Sequence, residues 1–336
     1  MASRRNALAF LAAAGLLAPL ASRSRAQGMR FFRIGTGATG GSYYPIGALI
    51  AAAISAPPGS RSCDLGGPCG VPGLIASAVA TPGSVANVMA IQNGRLESGF
   101  VQGDITAQAY RGLGAWTGRT VPGLRAIANL YPETVHLIAR RDAGIHELAD
   151  LRGKRVSLDE PGSGTLADAE MILAAVGMAP GMLQLRNLSL GPATQAMTAG
   201  DLDAFFFVGG HPADTIVELA SRTAIEVVPI EGATTARIIA EYPFFTTTVL
   251  PVDTYAGQEL PVPTLSVGAQ WLTSAQQPED LIHDLTVALW NPATAALLQT
   301  GPRRGRSIQR ATALDGISIP LHPGAARYYK ENNMLP

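Results

Sequence analysis

The amino-acid sequence predicts an α/β protein built as two lobes or domains, and two observations support that prediction. Short apolar segments typical of strands alternate with amphipathic segments typical of helices, and Gly, Ser, Thr or Pro occupies most of the junctions. The chain has 336 residues, of which 47% are hydrophobic, and this length exceeds the usual size of a single hydrophobic core.

The first half of the chain contains three strand-and-helix units. Strands are predicted at 31–35, 74–80 and 99–102, and helices at 44–54, from 85 to a Gly94 cap, and from 103 to 111. Gly94 is expected to adopt the left-handed conformation that ends a helix.

The second half repeats the arrangement. A strand at 155–158 leads through a Gly-rich loop to a helix at 165–176, which Gly177 is expected to cap. A strand at 203–208 ends in Gly-Gly-His-Pro, and Pro212 is predicted in the first turn of the next helix. Each of these loops follows a strand and precedes a helix. The unpaired N–H groups and the positive end of the helix therefore form a site suited to an anion.

The charge balance narrows the class of partner. The 25 basic residues equal the 25 acidic ones, and only 15% of all residues are charged. So low a charge content is not typical of a disordered chain. A protein with a net charge of zero also lacks the broad basic surface expected of a nucleic-acid-binding protein. We therefore expect a small-molecule partner and no nucleic acid.

The N-terminus has the pattern of a secretory signal peptide. Basic residues within 3–5 precede an apolar stretch at 7–21, and 24–26 reads Ser-Arg-Ala, with small residues at both positions of a cleavage site. The apolar stretch is shorter than the roughly 20 residues of a spanning helix. We expect residues 1–26 to be removed and the mature protein to be periplasmic. The Ser-Arg-Arg at 3–5 favours the twin-arginine route, whereas Ala7, where that route prefers Phe, favours ordinary secretion; both remain open.

Cysteine usage agrees with export. Cys63 and Cys69 flank Asp-Leu-Gly-Gly-Pro, a turn-rich spacer that could bring the sulfurs together, and an oxidising compartment would preserve the bond. We predict a disulfide that stabilises the fold by only about 2 kcal/mol, because its loop is short. A metal site is the alternative, but two thiols need further ligands and no His lies near them in sequence.

The segment at 35–40 satisfies the G-x-G-x-x-G pattern of a dinucleotide-binding loop directly after a strand. The acid that binds the ribose should follow about 20 residues later, but the nearest acid is Asp64, between the two cysteines. Two tyrosines and Pro45 stand where the pyrophosphate-binding helix should begin. An exported dinucleotide-dependent oxidoreductase remains the alternative function.

Enzyme motifs are otherwise missing from the sequence. It has no G-x-S-x-G, H-E-x-x-H or Walker pattern, and its histidines lack metal-ligand spacing. Ser163 and His211 could form a nucleophile pair, although such residues are more often caps or surface groups. The pair Asp159 and Glu160 lies in a turn and is typical of solvated or capping acids. We predict no catalytic residue, no metal site and no cofactor; an enzyme or sensor module that reuses a binding fold is a third hypothesis.

Six segments cover nearly the whole mature chain and form a recognisable series. They are GTGATGGSYYPIG at 35–47, TPGSVANVMAI at 81–91, GFVQGDITAQAY at 99–110, LRGKRVSLDEPGSGT at 151–165, GDLDAFFFVGGHP at 200–212 and PLHPGAARYYKE at 320–331. In this order they resemble the TAXI family, the extracytoplasmic solute receptors of one class of TRAP transporters.

The resemblance implies a two-lobed periplasmic binding protein of type II, whose lobes are joined by two crossover strands and close on a solute by a hinge motion. It implies lobe one at 29–133 plus 269–336 and lobe two at 134–268. Members of the family bind glutamate, glutamine or 2-oxoacids and deliver them to membrane permease subunits driven by an ion gradient. We therefore expect a monomeric receptor that is not an enzyme.

The resemblance also assigns residues to a ligand-binding cleft. Carried over position by position, they are Gly37, Thr39, Ser42, Tyr43, Tyr44, Thr81, Gly83, Ser84, Gln102, Asp104, Tyr131, Glu133, Ser163, Gly164, Thr165 and His211. Two positions depart from the family pattern: Pro82 replaces a Gly and removes one N–H donor, and Gly103 replaces a Ser and removes one hydroxyl.

The chemistry of these residues is compatible with a small carboxylate ligand. Hydroxyl groups and N–H groups at helix starts hold carboxylate oxygens without any Arg. Asp104 or Glu133 would accept hydrogen bonds from an α-ammonium group, or would only cap helices and brace the hinge. A sugar site would typically use stacking Trp, and the three tryptophans lie outside every candidate loop.

Overall fold

The computed structural model of the protein describes residues 28–336. The predicted signal peptide, residues 1–26, lies outside this range. The strands are β1 (Arg30–Gly35), β2 (Ser55–Ala56), β3 (Val71–Pro72), β4 (Leu74–Val79), β5 (Ser98–Gln102), β6 (Leu124–Arg140), β7 (Arg155–Ser157), β8 (Gln184–Arg186), β9 (Ala204–Gly209), β10 (Ile225–Val227), β11 (Thr246–Leu250) and β12 (Val262–Ser274).

Helices follow most of these strands, as the sequence predicts, and the last three helices follow one another with no strand between them. They are α1 (Tyr43–Ile54), α2 (Ser84–Gln92), α3 (Gly103–Arg111), α4 (Gly164–Ala175), α5 (Leu190–Thr198), α6 (Asp214–Arg222), α7 (Gly232–Glu241), α8 (Glu279–Leu289), α9 (Pro292–Thr300) and α10 (Pro323–Glu331). Within residues 28–336, none of these helices has the length and apolar character needed to cross a bilayer.

A mixed sheet of ten strands runs through the molecule in the order β4-β1-β5-β12-β6-β9-β7-β8, with β10 paired to β6 and β11 paired to β12. The side that contains β1, β4 and β5 is lobe one, and the side that contains β7, β8 and β9 is lobe two. β1 is parallel to β4 and β5, and β7 is parallel to β8 and β9.

Two long antiparallel strands, β6 and β12, connect the lobes. β12 pairs with β5 in lobe one, β6 pairs with β9 in lobe two, and the two strands pair with each other along most of their length. The prediction of two crossover strands is therefore confirmed. The predicted boundaries fall where Glu133 pairs with Val267 and Pro132 pairs with Gly268, but the boundaries themselves stay a prediction.

The buried apolar residues form separate clusters on the two sides of these strands. Phe32, Ile50, Trp271 and Tyr329 belong to the main core of lobe one. A second core, which includes Leu173, lies in lobe two. Because each side buries its own core, hinge motion between the lobes exposes little of either core.

Helix ends confirm the role predicted for two glycines. Gly94 and Gly177 both have positive φ, at 67° and 73°. In each case the N–H of the next residue reaches back to the third-last helical carbonyl, from Arg95 to Ala90 and from Met178 to Leu173. This is the Schellman arrangement, which satisfies carbonyl groups that the helix leaves unpaired.

The prediction for Pro212 is wrong. α6 begins at Asp214, and Ala213 before it has an extended backbone, with φ −90° and ψ 124°. The hydroxyl of Tyr255 accepts the Ala213 N–H at 3.2 Å and so holds the chain in this extended form. Pro212 consequently lies in the loop before the helix.

The predicted disulfide between Cys63 and Cys69 is confirmed, with the two Cα atoms 4.7 Å apart. It closes an exposed loop between β2 and β3. The bond is therefore a local constraint on the surface of lobe one.

Candidate functional site

A cavity of about 60 Å³ lies between the lobes, where several helices begin. The first residues of α1 and α2 in lobe one, Tyr43 and Ser84, line it, and so does Gly164, the first residue of α4 in lobe two. Helix starts carry free N–H groups and a partial positive charge. The cavity has room for a few water molecules.

Ten residues that the sequence assigns to the cleft line this cavity. They are Gly37, Ser42, Tyr43, Gly83, Ser84, Gln102, Glu133, Ser163, Gly164 and Thr165. Both lobes contribute to the set. The loops after β1, β4 and β7 therefore meet at one place, as the carboxyl ends of strands in an open sheet are expected to do.

Six assigned residues lie outside the cavity lining. Thr39 is exposed and Tyr44 is half-buried, whereas Thr81 joins its loop to the loop after β1 by donating to the Thr36 carbonyl at 2.9 Å. Nδ1 of His211 lies 2.9 Å from the Thr134 hydroxyl. The two remaining residues are buried beside the cavity: Asp104 and Tyr131.

Seven lining residues were not assigned from the sequence: Ala38, Gly41, Pro82, Asp159, Leu190, Phe207 and Val208. Asp159 was interpreted as a capping or solvated acid, and its carboxylate does accept the Glu160 N–H at 2.7 Å. Its φ of 83° is rare for a residue with a side chain, and backbone strain of this kind often marks functional sites. Leu190 begins α5, so a helix-start signal could have found it.

Glu133 is the acid that faces the cavity from the crossover strand β6. Its side chain is 1% exposed, and Tyr43 donates its hydroxyl to Oε2 at 2.6 Å. Burial raises the pKa of Glu133 to about 8, although the Tyr43 hydrogen bond and the charge of Arg304 oppose the shift. A buried carboxyl group with a raised pKa gains most from a ligand that brings a positive charge.

Asp159 provides a second titratable group on the lobe-two side of the cavity. Burial raises its pKa to about 7, against the effect of the hydrogen bond from the Glu160 N–H. The cavity thus combines hydrogen-bond donors at helix starts with two acids whose charge is not fixed at neutral pH.

Arg304 was not found by sequence analysis, because it lies in the C-terminal segment far from every motif. Its guanidinium carbon is 5.9 Å from the centre of the Tyr131 ring, and it donates to the His211 carbonyl of lobe two. The Tyr131 hydroxyl is buried without a partner among the described residues. Arg304 therefore bridges the lobes next to the cavity.

Gln102 makes a buried polar contact between the lobes. Its Nε2 donates to Oδ2 of Asp168 at 2.9 Å, while its Oε1 accepts the Ser84 hydroxyl at 3.2 Å. A Cβ atom added to Gly164 would lie 1.4 Å from Gln102 Oε1. The absence of a side chain at this position is what allows the lobes to approach so closely.

Further hydrogen bonds also join the lobes. The Gly210 N–H donates to the Ser42 hydroxyl at 3.1 Å, the Ala86 N–H to the Gly162 carbonyl at 3.0 Å, and the Thr215 hydroxyl to the Gly40 carbonyl at 2.8 Å. The structure is therefore that of closed lobes. In the part of the chain from Gly28 onward, no group of three His, Cys, Asp or Glu residues is placed to hold a metal ion.

Solved structures of similar fold come from several bacteria. A protein of Bordetella bronchiseptica RB50 is 15% identical with a TM-score of 0.52, over 91% of this chain and 89% of that chain. MatC from Rhodopseudomonas palustris, with bound malate, is 15% identical with a TM-score of 0.50, over 82% and 86%. The alkanesulfonate-binding protein SsuA from Xanthomonas axonopodis pv. citri, bound to MOPS, is 15% identical over 92% and 95%, with a TM-score of 0.46.

These likenesses concern the fold. The first two confirm the predicted α/β architecture. A family model matches residues 34–332, and the chain therefore belongs to the NMT1-like family.

Proposed function

We propose that this protein is the extracytoplasmic solute receptor of a TRAP-type transporter of the TAXI class, and that it captures a small carboxylate between its lobes. The observation that supports the proposal most strongly is the cavity at which α1, α2 and α4 begin, because these helices come from both lobes. A ligand held there touches both lobes and stabilises their closed arrangement.

The donors around the cavity suit carboxylate oxygens. The Ser163 hydroxyl oxygen accepts the Leu166 N–H at 3.0 Å and the Ser42 hydroxyl oxygen accepts the Gly210 N–H at 3.1 Å. Each hydroxyl also has a proton of its own, which it can donate to a ligand. Together with the N–H groups at the helix starts, they provide an anion site in which no Arg is needed.

Glu133 and Asp159 indicate what else the ligand carries. Both acids line the cavity with pKa values raised by burial, to about 8 and about 7. An ammonium group on the ligand would be held by either carboxylate, which favours glutamate or glutamine. A 2-oxoacid or dicarboxylate would instead need these acids to be protonated, as their raised pKa values allow.

The proposal includes the organisation and location of the protein. Lobe one comprises 29–133 plus 269–336 and lobe two comprises 134–268, with the hinge in β6 and β12. The protein is exported, loses residues 1–26, acts in the periplasm as a monomer and delivers its ligand to the membrane permease subunits. N-terminal sequencing and the native mass of periplasmic protein test these points.

A thermal-shift panel on the mature protein tests the function. The panel contains amino acids, 2-oxoacids and dicarboxylates, including malate, with sugars and NAD(P) as controls. A ligand at 100 times its dissociation constant stabilises the folded state by about 2.7 kcal/mol, so one carboxylate should raise the melting temperature clearly. A response to sugars alone would contradict the proposal, and tightly bound NAD(P) would favour the oxidoreductase alternative.

A further inference from the structure

Two buried carboxyl groups from opposite lobes meet beside the cavity. Asp104 lies in the first turn of α3 in lobe one, and Asp168 lies in α4 in lobe two. Their exposed fractions are 1% and 0%. Gln108 Nε2 lies 3.5 Å from Asp104 Oδ2 and 3.3 Å from the sulfur of Met171 on α4, so the two acids belong to one buried cluster that spans the cleft.

The hydrogen bonds of this pair are incomplete. Asp168 Oδ2 accepts from Gln102 Nε2 at 2.9 Å, and Asp104 Oδ2 accepts from Gln108 Nε2 at 3.5 Å. Oδ1 of each carboxyl group is buried without a partner among the described residues. Two ionised carboxylates in this position would repel each other, whereas a single proton lets one group donate to the other.

Among residues 28–336, no Arg, Lys or His forms an ion pair or hydrogen bond with either carboxyl group. Glu133 on β6 adds a further negative charge when it is ionised. The groups packed against the pair are otherwise neutral, namely the amides of Gln102 and Gln108 and, from α4, the thioether of Met171. Burial raises the pKa of both acids, most strongly that of Asp168.

We propose that closure of the lobes takes up one proton, which Asp104 and Asp168 share as a latch across the cleft. When the lobes separate, both groups become hydrated and ionise in the ordinary range of an aspartate. The closed-state pKa is thus higher than the open-state pKa. The latch stabilises closure fully below the open-state pKa, and this stabilisation is lost as the pH rises towards the closed-state pKa.

The latch is tested without a ligand, so the result does not depend on the proposed function. Gln92→Cys and Ala174→Cys place spin labels at the exposed far ends of α2 and α4, and labelling without reductant keeps the disulfide intact. Pulsed electron resonance then measures the distribution of distances between the lobes at pH 5 and pH 8. The ratio of closed to open molecules should fall by up to about tenfold for each pH unit in the range where one proton is exchanged.

The Asp168→Asn variant distinguishes the pH response of the latch from that of other titrating groups. The amide accepts from Gln102 and donates to Asp104 at every pH, so this variant should stay closed at pH 8 and lose most of the pH response. Glu170→Gln, which neutralises an exposed acid on the same helix, should respond like the parent. Circular dichroism melts establish that all variants are folded. A parent protein whose closed fraction is equal at pH 5 and pH 8 would overturn the proposal, as would an Asp168→Asn variant with the parent's pH response.

Discussion

A single methyl group at Gly164 is expected to prevent the lobes from closing fully. In Gly164→Ala the new Cβ would lie 1.4 Å from Oε1 of Gln102, 2.5 Å from its Cδ and 2.8 Å from Oγ of Ser84, whereas ordinary contact begins near 3.4 Å. Gln102 is buried and held by Asp168 and Ser84, so it can move aside only by breaking those hydrogen bonds. The clash is therefore relieved either by losing these hydrogen bonds or by keeping the lobes apart, and both destabilise the closed state.

The expected penalty follows from the cost of overpacking a buried site, about 1–3 kcal/mol. Because only the closed state contains the clash, this cost weakens ligand affinity by roughly 5- to 150-fold. The stability of the separate lobes should not fall, because Gly164 lies in α4 without a positive φ and Ala is the better helix former.

Titration calorimetry with the carboxylate that gives the largest thermal shift measures this effect. Gly191→Ala is the matched control, because Gly191 lies in the first turn of α5 with nothing within 4 Å of an added Cβ. In a Gln102→Ala background the Gly164→Ala penalty should shrink, since the main obstacle is gone. If Gly164→Ala bound the ligand as tightly as Gly191→Ala, the closed arrangement of these residues would be refuted.

Three further predictions follow from the same structure. Ser163→Ala should weaken binding by about 1.5–3 kcal/mol through the lost donor to a charged group, whereas Thr39→Ala should leave calorimetric affinity unchanged because Thr39 is exposed outside the cavity. Cys63→Ser should lower the free energy of unfolding by no more than about 2 kcal/mol in urea titrations, and two alkylatable thiols in the parent would contradict the bond. If Glu133 holds the ammonium group of the ligand, the pKa of Glu133 falls from about 8 on binding. Measured in an Asp168→Asn background, which removes the latch, the ligand affinity should then rise as the pH rises towards 8. Glu133→Gln should abolish that rise.

Local signals in the sequence predicted much of the fold. Gly94 and Gly177 end helices as expected, because the left-handed conformation that each cap needs is a property of the residue itself. The loops at the strand ends were also predicted from local signals, since each combines an apolar segment with turn residues. The prediction for Pro212 was wrong because the start of α6 depends on a hydrogen bond to the Tyr255 hydroxyl, which is more than 40 residues away in the sequence.

The composition of the site was less accessible from sequence, because it depends on how the lobes meet. Asp168 stands in an ordinary helical segment, and only the partner lobe shows that it contacts Gln102. Arg304 lies in a segment with no motif and reaches His211 across the cleft. Thr39 belongs to a matching motif yet faces solvent. Such contacts depend on tertiary packing, and no local pattern in a single sequence reveals them.

The most direct test of the proposed carboxylate site is a crystal structure of the mature protein grown with the carboxylate that gives the largest thermal shift. The carboxylate should lie between the lobes, with its oxygens within hydrogen-bond distance of the N–H groups that begin α1, α2 or α4 and of the Ser163 hydroxyl. A carboxylate bound to one lobe alone, or at a site away from these helix starts, would contradict it.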